Sequence, residues 1–162
     1  MRRLIPLIVA AILFAVDQVI KNWAFDILLP QDQIIVIPGL FYLTYVENRG
    51  AAFGILQGQT VLLSVISGIL LFAIVLALLL GKIKSRLLVW CVSIGIAGGF
   101  GNLYDRVIRG FVVDYFDFSA LFGFPVFNFA DCLVVGATFV ILVYCLKQES
   151  SQKGAVEEPG NG

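Results

Sequence analysis

Four apolar runs divide this chain, approximately Leu4 to Phe25, Thr60 to Leu80, Leu87 to Tyr104 and Phe129 to Leu146. Each approaches the ~20 residues that a helix needs to cross a bilayer. Hydrocarbon offers no water to backbone N–H and C=O groups, so runs of this length must satisfy them internally as helices. The composition agrees: 60% of the 162 residues are hydrophobic and mean hydropathy is +0.98, outside the range of soluble domains. Sixteen glycines suit close helix packing in lipid. The expected fold is a membrane all-α bundle of four transmembrane helices, formed by one domain over residues 1–147. The polar residues 148–162 read as a disordered cytoplasmic tail.

Basic residues orient the bundle. Arg2 and Arg3 precede the first run, Lys82, Lys84 and Arg86 separate the second and third, and Lys147 and Lys153 follow the fourth. In a four-span chain these clusters share one side, so both termini are expected in the cytoplasm. The first run follows two arginines as a signal peptide would, but no small-residue cleavage site follows it, and Asp17 and Lys21 continue its helical pattern. It is therefore expected to be retained. The connections Asp26 to Gln59 and Asp105 to Asn128 then face outward. In the first, "QIIVIPGLFYLTYV" holds two β-branched and aromatic runs around Pro38-Gly39, which predicts a small extracytoplasmic β-ribbon. The second is expected to form a re-entrant or surface loop.

With no histidine in the chain, Ser-His-Asp and Cys-His nucleophiles are excluded, together with the commonest zinc ligand. Cys91, Cys132 and Cys145 lie in apolar runs without CxxC spacing and read as packing residues, so no metal or cofactor is expected. Zero net charge argues against a nucleic-acid partner.

The remaining polar groups converge on one depth. Counting about 1.5 Å per residue from the cytoplasmic ends, Asp17 stands roughly 20 Å up the first helix, and Asn102 and Asp131 roughly 24 Å up the third and fourth. Asp114 and Asp117 enter near that level from the second outer connection. Ionisable groups at such a depth are costly and are expected to face the bundle interior or a wet pocket. A carrier using Asp17, Lys21, Asp114 and Asp131 as relays is the rival reading, but it would spread polar groups across the membrane, and no polar path leads to the cytoplasm.

Each group also has a local explanation. Asp17 and Lys21 are an i, i+4 pair that neutralises itself. Arg106 has Asp105, a lipid phosphate or a substrate carbonyl as possible partners. Asn48 and Gly50 in "ENRGAAFG" form a turn or offer contacts to an extended peptide. Asn128 reads as an N-cap, with Asp131 at N3 where a carboxylate suits the helix dipole. The second acid, Asp114, shifts the balance. Two carboxylates held close share one proton, so one acts as base and the other as acid toward a water attacking a peptide carbonyl.

The ordered motifs "DQVIK", "NRGAAFG", "GGFGNLYDR", "GFVVDYFDF" and "PVFNFAD" span nearly the whole chain to Lys147. Together they resemble the lipoprotein signal peptidases, the type II signal peptidases of bacteria. That resemblance implies an aspartic endopeptidase of the bacterial cytoplasmic (inner) membrane, with its active site near the outer face. It would remove signal peptides from prolipoproteins by cutting before the diacylglyceryl-modified cysteine. It assigns Asp114 and Asp131 as the catalytic pair, and Asn48, Gly50, Asn102, Arg106 and Asn128 as residues lining the substrate pocket. The cyclic peptide globomycin is an inhibitor of that pocket in the family. Asp17, Lys21 and Asp105 match positions that hold the site together. Phe100 and Tyr115 stand where the family often varies, and Asp117 recurs but is the weaker candidate acid.

Overall fold

In chain order the elements are α1 (Leu4–Leu28), β1 (Gln33–Ile37), β2 (Phe41–Asn48), α2 (Thr60–Leu79), α3 (Arg86–Ile108), β3 (Val112–Asp117), the short α4 (Ser119–Phe122) and α5 (Phe129–Val156). They belong to a computed structural model that describes residues 3–31, 33–51 and 54–156. Among the described residues, α1, α2, α3 and α5 are the helices long and apolar enough to span a membrane, as the four apolar runs require.

Helix α3 is the hub, packed against α1, α2 and α5. Small residues make this possible. A Cβ at Gly98 would collide with the Ala130 carbonyl oxygen of α5, and one at Gly101 with the Asp17 carboxylate of α1. The backbones therefore approach closely enough for polar side chains to meet across them. Large apolar side chains such as Val61 and Phe72 of α2 stay exposed, as suits a surface facing lipid.

Above one end of the bundle lies a three-stranded antiparallel sheet in the order β1-β2-β3. The expected ribbon is its first hairpin, turned at Pro38-Gly39, where the Gly39 amide donates to the Tyr42 hydroxyl at 2.8 Å. The second outer connection is not simply a loop: β3 pairs with the free edge of β2, setting Val46 opposite Asp114 and Asn48 opposite Val112. This strand has no polar alternation because it is covered on both faces. Val113 and Tyr115 form a core with Ala24 and Leu28 of α1. That burial anchors the sheet to the membrane helices.

The tail also differs from expectation. Helix α5 continues through Gln148 to Val156, and residues 157–162 lie outside the described residues. Gln and Glu are good helix formers, and Gln148 Nε2 donates to the Tyr144 hydroxyl one turn back at 3.1 Å.

Candidate active site

Asp131 is placed by the start of α5. Its backbone N–H donates to Asn128 Oδ1 at 2.9 Å, while its Oδ2 accepts the Asn128 backbone N–H at 3.1 Å. This reciprocal pair is a capping box, so the local reading of "FNFAD" holds. Capping leaves Oδ1 to accept Asn102 Nδ2 from α3 at 2.7 Å. The acid is thus gripped from two helices and still borders open space.

Asp114 arrives from β3. Its Oδ2 accepts Asn48 Nδ2 at 2.9 Å and its Oδ1 accepts Asn128 Nδ2 at 2.6 Å. Asn128 is therefore the link between the acids, binding one carboxylate through its side chain and the other through its backbone. Asp114 is only 1% exposed. Burial, and then the neighbouring Asp131 charge, push its carboxyl up to about 7. The approach is fixed by the backbone before α5: the Tyr115 and Phe116 amides both donate to the Phe127 carbonyl, and the Tyr115 hydroxyl accepts the Phe129 N–H.

A buried ionic cluster supports this arrangement from below. Lys21 Nζ lies 3.1 Å from Asp17 Oδ2, 3.1 Å from Asp105 Oδ2 and 2.9 Å from Asn102 Oδ1. Three ammonium hydrogens meet three acceptors in a site closed to water. Both acids also satisfy backbone donors: Asp17 Oδ1 accepts Ala130 N–H in the first turn of α5, and Asp105 Oδ2 accepts Val113 N–H at the start of β3. Buried charge is tolerated only with such partners. The same cluster ties α1 to the two elements that carry the candidate acids.

Asp114, Asp131, Asn48, Asn102 and Arg106 all line one cavity of about 830 Å³, whose remaining wall is largely apolar and includes Val112, Phe127 and Val134. Arg106 Nη2 donates to the Gly50 carbonyl at 3.0 Å, tying α3 to the segment before α2. Its neighbour Asp105 instead points to Lys21. Gly50 and Asn128 are buried and border the cavity only through the groups they hold.

A family model described as Signal peptidase (SPase) II matches residues 9–147. The chain belongs to the signal peptidase II family. It is 40% identical to the lipoprotein signal peptidase of Clostridium acetobutylicum, an alignment covering 93% of this chain and 99% of that protein. The lipoprotein signal peptidase of Clostridioides difficile is 37% identical, with 91% and 98% covered. Among solved structures, a bacterial membrane enzyme determined by the in meso method at 2.3 Å superposes with a TM-score of 0.77 at 30% identity, covering 96% of this chain and 94% of that one. A second such enzyme, at 1.9 Å, gives 0.71 at 32% identity.

Membership makes the chain a peptidase of the aspartic type. Within this signal peptidase fold, Asp117 is engaged elsewhere, accepting Thr44 Oγ1 at 3.0 Å and the Ser119 amide at 2.8 Å. Two contributors escaped the sequence reading. Tyr115 braces the first turn of α5, and Gln18 donates to Asp17 Oδ2 at 3.1 Å. The Gln in "DQVIK" carried a signal for the second, since it adjoins a buried acid. Nothing local marked Tyr115.

Proposed function

We propose that this signal peptidase removes signal peptides from bacterial prolipoproteins, cutting before the diacylglyceryl-modified cysteine with Asp114 and Asp131 as its acid and base. The observation that carries the reading is that both carboxylates border one cavity while Asn128 holds the two together. The raised Asp114 carboxyl keeps a proton near neutrality and acts as the acid, and Asp131, held by two N–H donors, takes the part of the base.

In the attack, Asp131 takes a proton from a water as its oxygen bonds to the scissile carbonyl carbon. Asp114 gives its proton to the carbonyl oxygen, leaving a neutral tetrahedral diol. Collapse breaks the C–N bond. The proton held by Asp131 passes to the leaving amine, and a diol hydroxyl returns its proton to Asp114 as the new carboxylic acid forms. Arg106, beside the acids, binds a substrate carbonyl, and the apolar wall receives the extended peptide and its lipid. Globomycin, an apolar cyclic peptide, occupies the same cavity. The basic loop between α2 and α3 supports a topology with both termini cytoplasmic, which sets the cavity toward the outer face of the inner membrane.

The test is cleavage of lipidated and unlipidated precursors by wild type, Asp114→Asn and Asp131→Asn in proteoliposomes. Each variant is expected to fold, to melt cooperatively and to leave the lipidated precursor uncut. Wild type is expected to cut the lipidated form only. Normal turnover by either folded variant rejects the dyad, and equal cleavage of both precursors rejects the substrate class.

A further inference from the structure

At the end of the bundle away from the carboxylates, a second cavity of about 620 Å³ opens between the start of α1, the α2–α3 connection and the start of α3. Arg86 begins α3 and Asn102 lies roughly 24 Å further along it by helical rise, so the two cavities are separate. Three cations, Arg3, Lys84 and Arg86, line this one, together with Ile5, Ile83 and Trp90.

The cationic rim is a built feature. Arg3 Nη1 donates to the Leu79 carbonyl at the C-terminus of α2, at 3.1 Å. Gly81 turns the chain there with φ +78°, and a Cβ at that position would meet the Arg3 guanidinium at 2.7 Å. The guanidinium thus caps one helix end and retains further N–H donors. The ion pairs among the described residues involve Lys21, Arg49 and Arg109, and none involves Arg3, Lys84 or Arg86. Concentrated positive charge beside apolar side chains and an interfacial tryptophan matches a ligand with an anionic head and a hydrocarbon tail.

We propose that this cavity binds an anionic phospholipid of the adjoining leaflet, its phosphate among Arg3, Lys84 and Arg86 and its acyl chain along Ile5 and Ile83. The site joins the start of α1 to the α2–α3 turn, so an occupied site braces the end of the bundle opposite the acids. This inference rests on four helices crossing a membrane and is independent of the peptidase chemistry.

Trp90 supplies the readout, because the chain has two tryptophans and Trp23→Phe leaves Trp90 alone. That full-length variant is reconstituted in phosphatidylcholine vesicles containing brominated phosphatidylglycerol or, at the same fraction, brominated phosphatidylcholine. Brominated phosphatidylglycerol is expected to quench Trp90 at a markedly lower lipid fraction. Adding Lys84→Gln and Arg86→Gln is expected to weaken that preference about fivefold for each cation removed. Soluble glycerophosphate is expected to leave the quenching unchanged. Equal quenching by the two lipids overturns the proposal, as does a preference that survives the double substitution. Relief by glycerophosphate also overturns it, assigning the cavity to a free phosphate instead. Cleavage of a lipidated precursor in detergent checks the folding of each variant and reads the other cavity separately. Where the double variant fails to fold, the comparison of the two brominated lipids on the Trp23→Phe protein alone decides.

Discussion

Lys21 Nζ lies 2.9 Å from Asn102 Oδ1, and the Nδ2 of the same amide donates to Asp131 at 2.7 Å. The ammonium therefore fixes which way the Asn102 amide faces, and so which atom it offers to the candidate base. A cation reaching Asp131 through one intervening amide is a positioning device rather than a participant.

Lys21→Met removes the cation from between two buried acids. Breaking a buried ionic group by one partner costs about 3–5 kcal/mol. We expect a large fall in melting temperature and, in the fraction that stays folded, a lower kcat with little change in KM. An unchanged melt, or a loss confined to KM, contradicts the positioning role. Asp17→Asn keeps the shape of the site and is expected to lower stability chiefly.

Asn128→Ala deletes the side-chain amide that donates to the Asp114 carboxylate and accepts the Asp131 backbone N–H, leaving only the backbone N–H on the Asp131 carboxylate. The lost N-cap costs about 1 kcal/mol, while misdirected acids are expected to cost roughly 10²-fold or more in kcat. The diagnostic is disproportion: activity falls much further than stability. A modest activity loss that merely tracks the melt places Asn128 among simple capping residues.

The Asp114 carboxyl, raised from 3.8 to about 7 by burial and then by Asp131, makes two predictions about pH. Cleavage should decline as pH rises through about 7, because the acid surrenders the proton it must donate. Its contribution to stability has the matching sign. A carboxyl that holds its proton more tightly folded than unfolded stabilises fully below its ordinary pKa, and that contribution is lost as pH rises through the folded value. Asp114→Asn should therefore flatten the decline in melting temperature between about pH 4 and 7. A wild-type rate that climbs above pH 7 assigns the proton wrongly.

Gly98→Ala tests the closeness of α3 and α5, since the added methyl would run into the Ala130 carbonyl. Shifting α5 moves Asp131 relative to Asp114, and a displacement near 1 Å is expected to cost about 10²-fold in activity. Gly95→Ala is the matched control on the same helix. Its methyl would meet the Ala137 Cβ at an ordinary 3.5 Å, and activity should be retained. Equal activities would show that the contact at Gly98 does not set the distance between the acids.

Much of this protein was legible locally. Hydropathy and length mark the four spans because lipid admits little but self-satisfied helices. Depth counting put Asp17, Asn102 and Asp131 at one level because helical rise is nearly constant. "FNFAD" announced its capping box, since a cap involves only neighbours in the chain. The third strand was not legible: "VVDYFD" lacks alternation because α1 covers one of its faces, and its partner β2 lies more than sixty residues away. Asn128 serving both acids, Tyr115 bracing α5, and Lys21 orienting Asn102 depend equally on elements distant in sequence. The sequence by itself determined a four-span membrane chain and marked two acids as candidates. Only the tertiary structure decided that those acids share one cavity, because their approach is set by strand pairing and glycine-mediated helix contact, which no local pattern encodes.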